Sequence, residues 1–588
     1  MMLGIDLGTT NSLAGTVIDG KINFVEFDGK KLLPSVVSFM DGKELLIGQM
    51  AKNQYFLAPE SSVKSIKRMM GSDTKTVLNS KEYLPEEISA LILKHIKVSA
   101  EKQFGRKFED AVITVPAYFS DDQRKATTVA GKIAGFNVKR IINEPTAAAL
   151  SYNFKNKNEI TAVVYDLGGG TFDVSVVNIS EGVVEVLASH GDNNLGGDDF
   201  DSDLAELMID RVDEKYERNL KDNLYAIQQM QVIAERCKIA LSDQPFYTVI
   251  ENIVHERDKP PLMIELEISR TEFEDLIRSK IDETMNMVHV TLSDAKLQAK
   301  DINQILLVGG SSKIPMISEE FETIFDIAPS GSIDPDQSVC IGAAVQGGII
   351  EDDILDSILV DVTPYTFGTR TAVRDTFGFI IDDDLFIPLI KRNSPLPVSK
   401  SDVFYKVHPE QQEIEVTVFQ GDSTVASENK LIGLFKIQDL SQKENSEEII
   451  LTMNLNLDGI LTVIATEKKT GKNKRITIAD SFDHEDISDS VHKLSELFGV
   501  SDDSSDDVSS NTLPVEEKED EHQHEDHKIY IARTMIEKAE SKLEVAPADD
   551  VAEMGKIIWK LKKEIKASNL PEIALLTEEL TDILFYID

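Results

Sequence analysis

The sequence predicts a multidomain chain in three parts: an α/β region, then an antiparallel β region, then a helical end. Three observations carry this. Residues 1 to about 350 alternate short β-rich apolar runs with helix-forming segments. Residues 363–478 hold short strands separated by turn signals. Beyond about residue 484, apolar residues recur at helical spacing. At 588 residues the chain has room for about three to four domains of ordinary size.

In the first part, Ala111–Pro116 and Ala162–Asp166 are apolar runs of strand length that end in a turn signal. Between them, Asp122 to Gly135 is rich in helix formers and small apolar residues. In the second part, Glu413-Ile414-Glu415-Val416-Thr417-Val418 alternates as a half-buried strand does, and Leu455 to Ala465 carries Asp458-Gly459, a hairpin turn signal. In the third, Met554, Ile557, Ile558, Leu561 and Ile565 fall on one helical face. Residues 499–527 are dominated by Ser, Asp and Glu. Such a segment buries too little apolar surface to offset its ordering entropy, so it is expected to be disordered.

The formal net charge is -42, with 28% charged residues. That excess of carboxylates argues against nucleic acid as the main ligand, because phosphate backbones attract Lys and Arg. No apolar run reaches the ~20 residues needed to cross a bilayer, which argues against a membrane. The N-terminus lacks the pattern of a secretory signal. The two cysteines, Cys237 and Cys340, form no CxxC motif or disulfide framework, in keeping with a reducing cytoplasmic setting.

Two related segments point to phosphate chemistry. Asp6-Leu7-Gly8-Thr9-Thr10-Asn11 and Asp166-Leu167-Gly168-Gly169-Gly170-Thr171-Phe172-Asp173 each lie between two apolar strands. Each reads as a strand–turn–strand hairpin with a carboxylate at the tip. Glycine lets the backbone bend and bring bare N–H groups to an anion, and the hydroxyls add donors. The aspartates would repel bare polyphosphate, so they imply an intervening Mg²⁺, held mostly through water. A third glycine turn, Gly309-Gly310-Ser311-Ser312-Lys313, follows another apolar strand. One such turn alone is an ordinary hairpin; two copies and a third loop are a constellation. Neither GxxxxGK[ST] nor GxGxxG occurs.

These segments, with Ile141-Ile142-Asn143-Glu144-Pro145-Thr146-Ala147-Ala148-Ala149, Val115-Pro116-Ala117-Tyr118-Phe119 and Val308-Gly309-Gly310-Ser311, resemble the signatures of the seventy-kilodalton heat-shock proteins, the DnaK-type chaperones. The resemblance is good over residues 3 to about 480 and poor over the helical end. Lys67-Arg68-Met69-Met70-Gly71-Ser72 and His408-Pro409-Glu410-Gln411 bring it nearest to the HscC-type branch. The resemblance implies an actin-like (ribonuclease H-like) ATPase domain over 1–354 and an interdomain linker over 355–362. A β-sandwich substrate-binding domain over 363–480 and a helical lid over 481–588 complete the expected layout.

It also implies roles by position. Asp6, Glu144 and Asp166 would arrange Mg²⁺ and its waters, and Asp6, Asp166 and Thr171 would contact K⁺. Lys67 would position the attacking water, and Asp173 would orient that water or an ion. Gly8, Thr9, Thr10, Asn11, Gly168, Gly169, Gly170 and Thr171 would hold the phosphates of ATP or ADP. Glu235, Lys238 and Ser242 would line the nucleoside, Gly310, Ser311 and Lys313 would close the other side of the adenine, and Gly196, Gly197, Gly309 and Asp336 would also belong to the nucleotide site. Thr369, Thr371, Ala372, Phe404, Val407, Gln411, Ile414 and Val416 would form the groove for an extended client peptide. Pro116, Arg140, Leu359 and Asp361 would couple the two halves. The implied partners are unfolded client polypeptides, a J-domain co-chaperone and, where exchange is assisted, a nucleotide-exchange factor.

Three departures from the family pattern bear on function. Lys313 stands where the family commonly has an arginine on the adenine, and Ile239 replaces a second basic residue; an ammonium stacks less well than a guanidinium, so weaker nucleotide binding is expected. Thr369 and Ala372 are small for the arch over the peptide, so faster peptide release is expected. The acidic segment interrupts the lid helix. Three other readings compete: a sugar kinase on the same clamp, a filament-forming actin relative, and a holdase with little turnover. The β region weighs against the first two.

Overall fold

In the computed structural model, residues 1–501 are described except 41–43, 156–158, 181–182, 254–260, 332, 353–357, 375–379, 407–410, 439, 441–447, 469, 471–472, 478–488, 492, 495–496 and 499–501, together with scattered helical residues between 554 and 580. Two compact units result, Met1–Ser501 and Asp502–Asp588.

The first unit opens with a duplicated sheet. Strands β1 (Leu3–Asp6), β2 (Asn11–Ile18) and β3 (Lys21–Phe24) form an antiparallel meander; β4 (Asp110–Val115) and β5 (Asn137–Asn143) extend it in parallel, giving the order β5-β4-β1-β2-β3. The second sheet repeats the plan: β6 (Ile160–Leu167), β7 (Phe172–Ser180) and β8 (Val183–Asp192) are antiparallel neighbours, and β9 (Gln304–Val308) adds in parallel to β6. The two glycine turns read from the sequence are therefore the β1–β2 and β6–β7 hairpins.

Between the sheets lie two small-residue helices, α1 (Glu144–Lys155) and α2 (Ser338–Asp352). A Cβ on Gly342 would run into the Ala147 backbone, so the two helices cross at a distance only glycine permits. Met2, Val112, Ala148, Val164, Val308 and Ala343 fill the core around them. The helix expected from Asp122 runs Asp121–Ile133 and starts on a Ser120 capping box with Gln123.

The antiparallel region is two four-stranded sheets on one core. One has the order β12-β11-β14-β15, from β11 (Phe367–Arg374), β12 (Ile380–Ile390), β14 (Ile414–Gln420) and β15 (Lys430–Ile437). The other has the order β13-β16-β17-β18, from β13 (Val398–Tyr405), β16 (Glu448–Leu455), β17 (Leu461–Glu467) and β18 (Asn473–Thr477). Val416, Val418 and Phe435 of the first meet Leu451, Met453 and Val463 of the second. Asp458-Gly459 turns between β16 and β17, with Gly459 at φ 77°.

One strand belongs to neither half by composition. β10 (Ile358–Val360) pairs in parallel with β8, as the outermost strand of the second sheet. Described residues between 489 and 498 also contact the first half. Leu494 is buried in its core, and Lys493 and Ser490 reach Glu87 at 3.1 and 3.0 Å. In the second unit, Met554, Ile557, Ile558 and Leu561 are buried, at the helical spacing read from the sequence. The acidic segment 499–527 and Trp559 lie outside the described residues. Among the described residues no helix is long and apolar enough to cross a membrane.

Candidate nucleotide site and interdomain contact

A cleft of about 510 Å³ separates the two duplicated sheets. Asp6, Gly8, Thr9, Thr10 and Asn11 line one wall; Asp166, Gly168, Gly169 and Thr171 face them. The loops approach so closely that a Cβ on Gly169 would strike the Thr10 hydroxyl, and one on Gly170 would meet Thr9. Thr10 Oγ1 is buried against Gly169 without a hydrogen-bond partner. Gly309 sits at φ 79°, and a Cβ there would come within 2.5 Å of the Leu167 carbonyl oxygen, so the third turn needs glycine for both reasons.

The floor is strongly acidic. Lys67 Nζ lies 2.5 Å from Glu144 Oε1, both buried. Burial, then the Glu144 charge, push the Asp6 carboxyl up to about 7. The same two causes, in the same order, hold Asp166 and Asp173 well above the ordinary carboxylate range. One buried ammonium does not balance this set. The donors are all hard oxygens, the kind Mg²⁺ takes, so the residues fit that ion. Among the described residues no three carboxylates, thiols or imidazoles converge into a direct ligand cage.

The rest of the cleft, where the nucleoside is expected, is lined by Glu235, Lys238, Ile239, Ser242, Gly310, Ser311, Lys313 and Asp336. Several of these are already engaged. Glu235 is paired with Lys52 at 2.7 Å, and Lys238 donates to Asp201 at 2.8 Å and the Gly197 carbonyl at 3.0 Å. Lys313 is held by Asp336 at 2.5 Å and Asp334 at 3.6 Å. Ile239 is 56% exposed.

Four expected residues do not line the cleft: Gly170, Asp173, Gly196 and Gly197. Gly196 and Gly197 support the wall instead, since the Gly197 N–H donates to the Gly168 carbonyl at 3.0 Å and a Cβ on Gly196 would strike Gly169. Asp173, opposite Asp166 in the β6–β7 register, accepts from the Ala117 and Tyr118 N–H groups at 3.2 and 3.1 Å. Sequence reading missed Asp198 and Asp201, which line the cleft as well. The signal for Asp198 was the acidic first turn of the helix Gly197–Tyr216. Both cysteines are buried and free, and burial pushes the Cys237 thiol up to about 12 and Cys340 well above the ordinary range.

Asp173 leads to the second half of the molecule. The segment it grips, Pro116–Tyr118, also receives Arg124, whose Nη2 donates to the Ala117 carbonyl at 2.8 Å and to Asn143 Oδ1 at 2.7 Å. Asn143 in turn donates to Asp361 at 2.9 Å, and Thr146 donates to the same oxygen at 3.0 Å. Asp361 is buried directly after β10, whose Leu359 pairs with Val184.

The β region meets the same surface. Asp458 accepts from the Ile141 N–H at 3.1 Å and lies 3.6 Å from Arg140. Asp121 accepts from the Leu461 N–H at 2.9 Å, and the Tyr365 hydroxyl donates to the Tyr118 carbonyl. Of the coupling residues, Pro116 and Asp361 are buried, while Arg140 and Leu359 are half-buried.

The expected peptide residues lie on three strands and a loop of the β region. Thr369, Thr371 and Ala372 are on β11, Phe404 on β13, and Ile414 and Val416 on β14; Gln411 precedes β14. Thr369 is buried and its hydroxyl donates to the Thr417 carbonyl at 2.7 Å, whereas Thr371 and Ala372 are half-exposed. Phe404 and Ile414 are half-buried and Val416 is core. Val407 lies outside the described residues.

Comparison with known proteins agrees with this geometry. The family model described as Hsp70 protein matches residues 2–81 and 72–587. The chaperone protein DnaK of Mycoplasmopsis agalactiae is 41% identical over 485 residues, 82% of this chain and 79% of that protein. The chaperone protein DnaK of Thermosipho africanus is 37% identical over 587 residues, 98% of this chain and 94% of its own length. A third relative of the same name, from Mycoplasmopsis pulmonis, is 43% identical over 485 residues.

Proposed function

The chain belongs to the Hsp70 family and is an ATP-dependent molecular chaperone, and on that footing we propose that ATP hydrolysis switches its grip on extended apolar segments of unfolded clients. The reading divides the chain into an ATPase domain (1–354), a linker (355–362), a β-sandwich domain (363–480) and a helical lid (481–588). It places the chain in the cytoplasm. One observation carries it: the linker strand β10 is seated in the ATPase sheet while Asp361 beside it is buried and hydrogen-bonded there. An apolar linker has two favourable homes, docked on this sheet or released with the β-domain, so nucleotide can bias which is populated.

Chemistry at the cleft follows from the residues. Thr9, Thr10, Asn11 and Gly168–Thr171 bind the phosphates with hydroxyls and bare N–H groups. Asp6, Glu144 and Asp166 would hold Mg²⁺, and Asp6, Asp166 and Thr171 would be available to K⁺; the divalent ion would supply positive charge against the phosphates. Lys67 positions the attacking water; Glu144 fixes its ammonium at the floor. Positioning and electrostatics are the main means open to a protein in phosphoryl transfer.

The result reaches the linker through touching groups. Asp173 holds Ala117 and Tyr118, Ala117 holds Arg124, and Arg124 holds Asn143, which donates to Asp361. With ATP bound, this route stabilises the docked arrangement and peptide exchanges fast. After hydrolysis the linker leaves β8 and the sandwich closes on Phe404, Ile414, Val416 and the β11 arch. A J-domain co-chaperone acts at the Arg140 face to speed hydrolysis; a nucleotide-exchange factor assists ADP release where this is needed. The test is the release rate of a labelled apolar peptide with ATP, with ADP and without nucleotide, for wild type and Lys67→Ala. Release that is fast only with ATP supports the switch; identical release in all three states refutes it.

A further inference from the structure

We propose that His190 makes docking of the β-domain on the ATPase domain sensitive to protons, with protonation weakening the docked arrangement; this rests on the linker-docking reading above. His190 lies near the end of β8, and its Nε2 is 3.1 Å from Asp294 Oδ2. Both belong to the ATPase half. The β-domain brings Arg392, whose Nη1 is 3.3 Å from the same imidazole nitrogen and whose Nη2 is 3.3 Å from Asp294. Asn393 beside it donates to Asp294 Oδ2 at 3.2 Å and accepts from the Ser189 N–H at 3.3 Å.

The remaining groups about the ring are few. Tyr118 stacks on it, with centroids 6.1 Å apart. Asp422 lies beyond Arg392 at 3.8 Å, and Asp173, one strand over, is spent on the Ala117 and Tyr118 N–H groups.

A single nitrogen therefore faces a carboxylate and a guanidinium. Unprotonated, Nε2 offers a lone pair that accepts from Arg392 and leaves Asp294 to Arg392 and Asn393. As an imidazolium it donates to Asp294 and sets a like charge 3.3 Å from Arg392. Once the β-domain leaves, His190 and Asp294 stay together on the ATPase domain, so the imidazolium keeps its partner and loses its repulsion. Protonation thus favours release of the β-domain. The His190 and Asp294 side chains are only 14% and 19% exposed, so water screens this repulsion incompletely. Histidine is the side chain whose charge normally changes between pH 5 and 8.

Other interface acids act in the opposite sense. Burial pushes Asp121 up to about 6 and also raises Asp458, so docking takes up protons there. The comparison with a variant isolates the histidine. The experiment is ATP-triggered release of a labelled apolar peptide from the full chain at pH 8.0 and 6.0, for wild type, His190→Gln and His190→Asn. Both amides accept from Arg392 and neither titrates. The expected result is that acidification slows ATP-triggered release more in wild type than in either variant, by about threefold to tenfold. Parallel pH profiles in all three proteins overturn the role of His190 and leave the nucleotide switch standing. Release indifferent to ATP at pH 8.0 overturns both.

Discussion

Replacing Asp361 with alanine should unlatch the linker. The carboxylate accepts from Asn143 at 2.9 Å, Thr146 at 3.0 Å and the Val362 N–H at 2.8 Å, and its charge favours the buried Arg124 guanidinium. Burial pushes the carboxyl above its ordinary range, so its docked form is held by these donors and by Arg124. Removing it strands two buried side-chain donors, Asn143 and Thr146. Leaving a buried donor unsatisfied costs about 1–3 kcal/mol, so the two together reach about 3 kcal/mol, which corresponds to roughly a 150-fold shift toward the undocked arrangement. Asp361→Asn keeps part of the bonding and should cost about 1–2 kcal/mol. The assay is ATP-triggered peptide release by stopped flow, with nucleotide affinity measured in parallel. Expected are unchanged ADP affinity, weakened ATP affinity through the reciprocal coupling, and release slowed by two orders of magnitude for alanine, far less for asparagine. Wild-type release kinetics in Asp361→Ala, with the variant folded, would refute the linker argument.

Lys67→Ala should cut single-turnover hydrolysis by about 100-fold to 1,000-fold while ATP still binds, because the lysine acts on the reacting centre rather than on the nucleoside. Asp6→Asn should raise the melting temperature of the protein freed of nucleotide and divalent ions while lowering hydrolysis. The folded Asp6 carboxyl titrates at about 7 against an ordinary 3.8, so its stabilising form is present below that ordinary value and is lost as pH rises through 7. The melting difference between Asp6→Asn and wild type should therefore grow from pH 5 to 7.5, corresponding to about 1–2 kcal/mol; a difference flat with pH would count against it. Lys313→Arg should tighten ADP several-fold by calorimetry, since a guanidinium can pair with Asp336 and still present a planar face. Ala372→Met should slow peptide release from the ADP state, because Ala372 is half-exposed on β11 and a larger side chain there covers more of the bound strand.

Much of the site was legible because its chemistry is local. Asp6 to Asn11 and Asp166 to Thr171 are contiguous, and a glycine turn between strands bends the same way wherever it lies. The hairpin at Asp458-Gly459 and the helical face from Met554 to Leu561 were readable for the same reason: periodicity and turn chemistry act over a few residues. Less legible was what one residue does for a distant one. Asp173, the register partner of Asp166 across the β6–β7 hairpin, also accepts from the Ala117 and Tyr118 N–H groups of a segment far back in the chain. Gly196 and Gly197, expected as nucleotide contacts, also let the Gly168–Gly169 backbone approach closely.

The amino-acid order alone determined the duplicated hairpins, their carboxylate tips and the change from α/β to antiparallel texture, since each depends on neighbours within a turn or strand. Only the tertiary structure decided which acids share a floor with Lys67, that Asp458 serves Ile141 as well as its own turn, and that His190 meets Arg392 some 200 residues away. Those pairings arise from how sheets and domains pack. Charge and burial at a contact are properties of both partners, so neither segment carries them by itself.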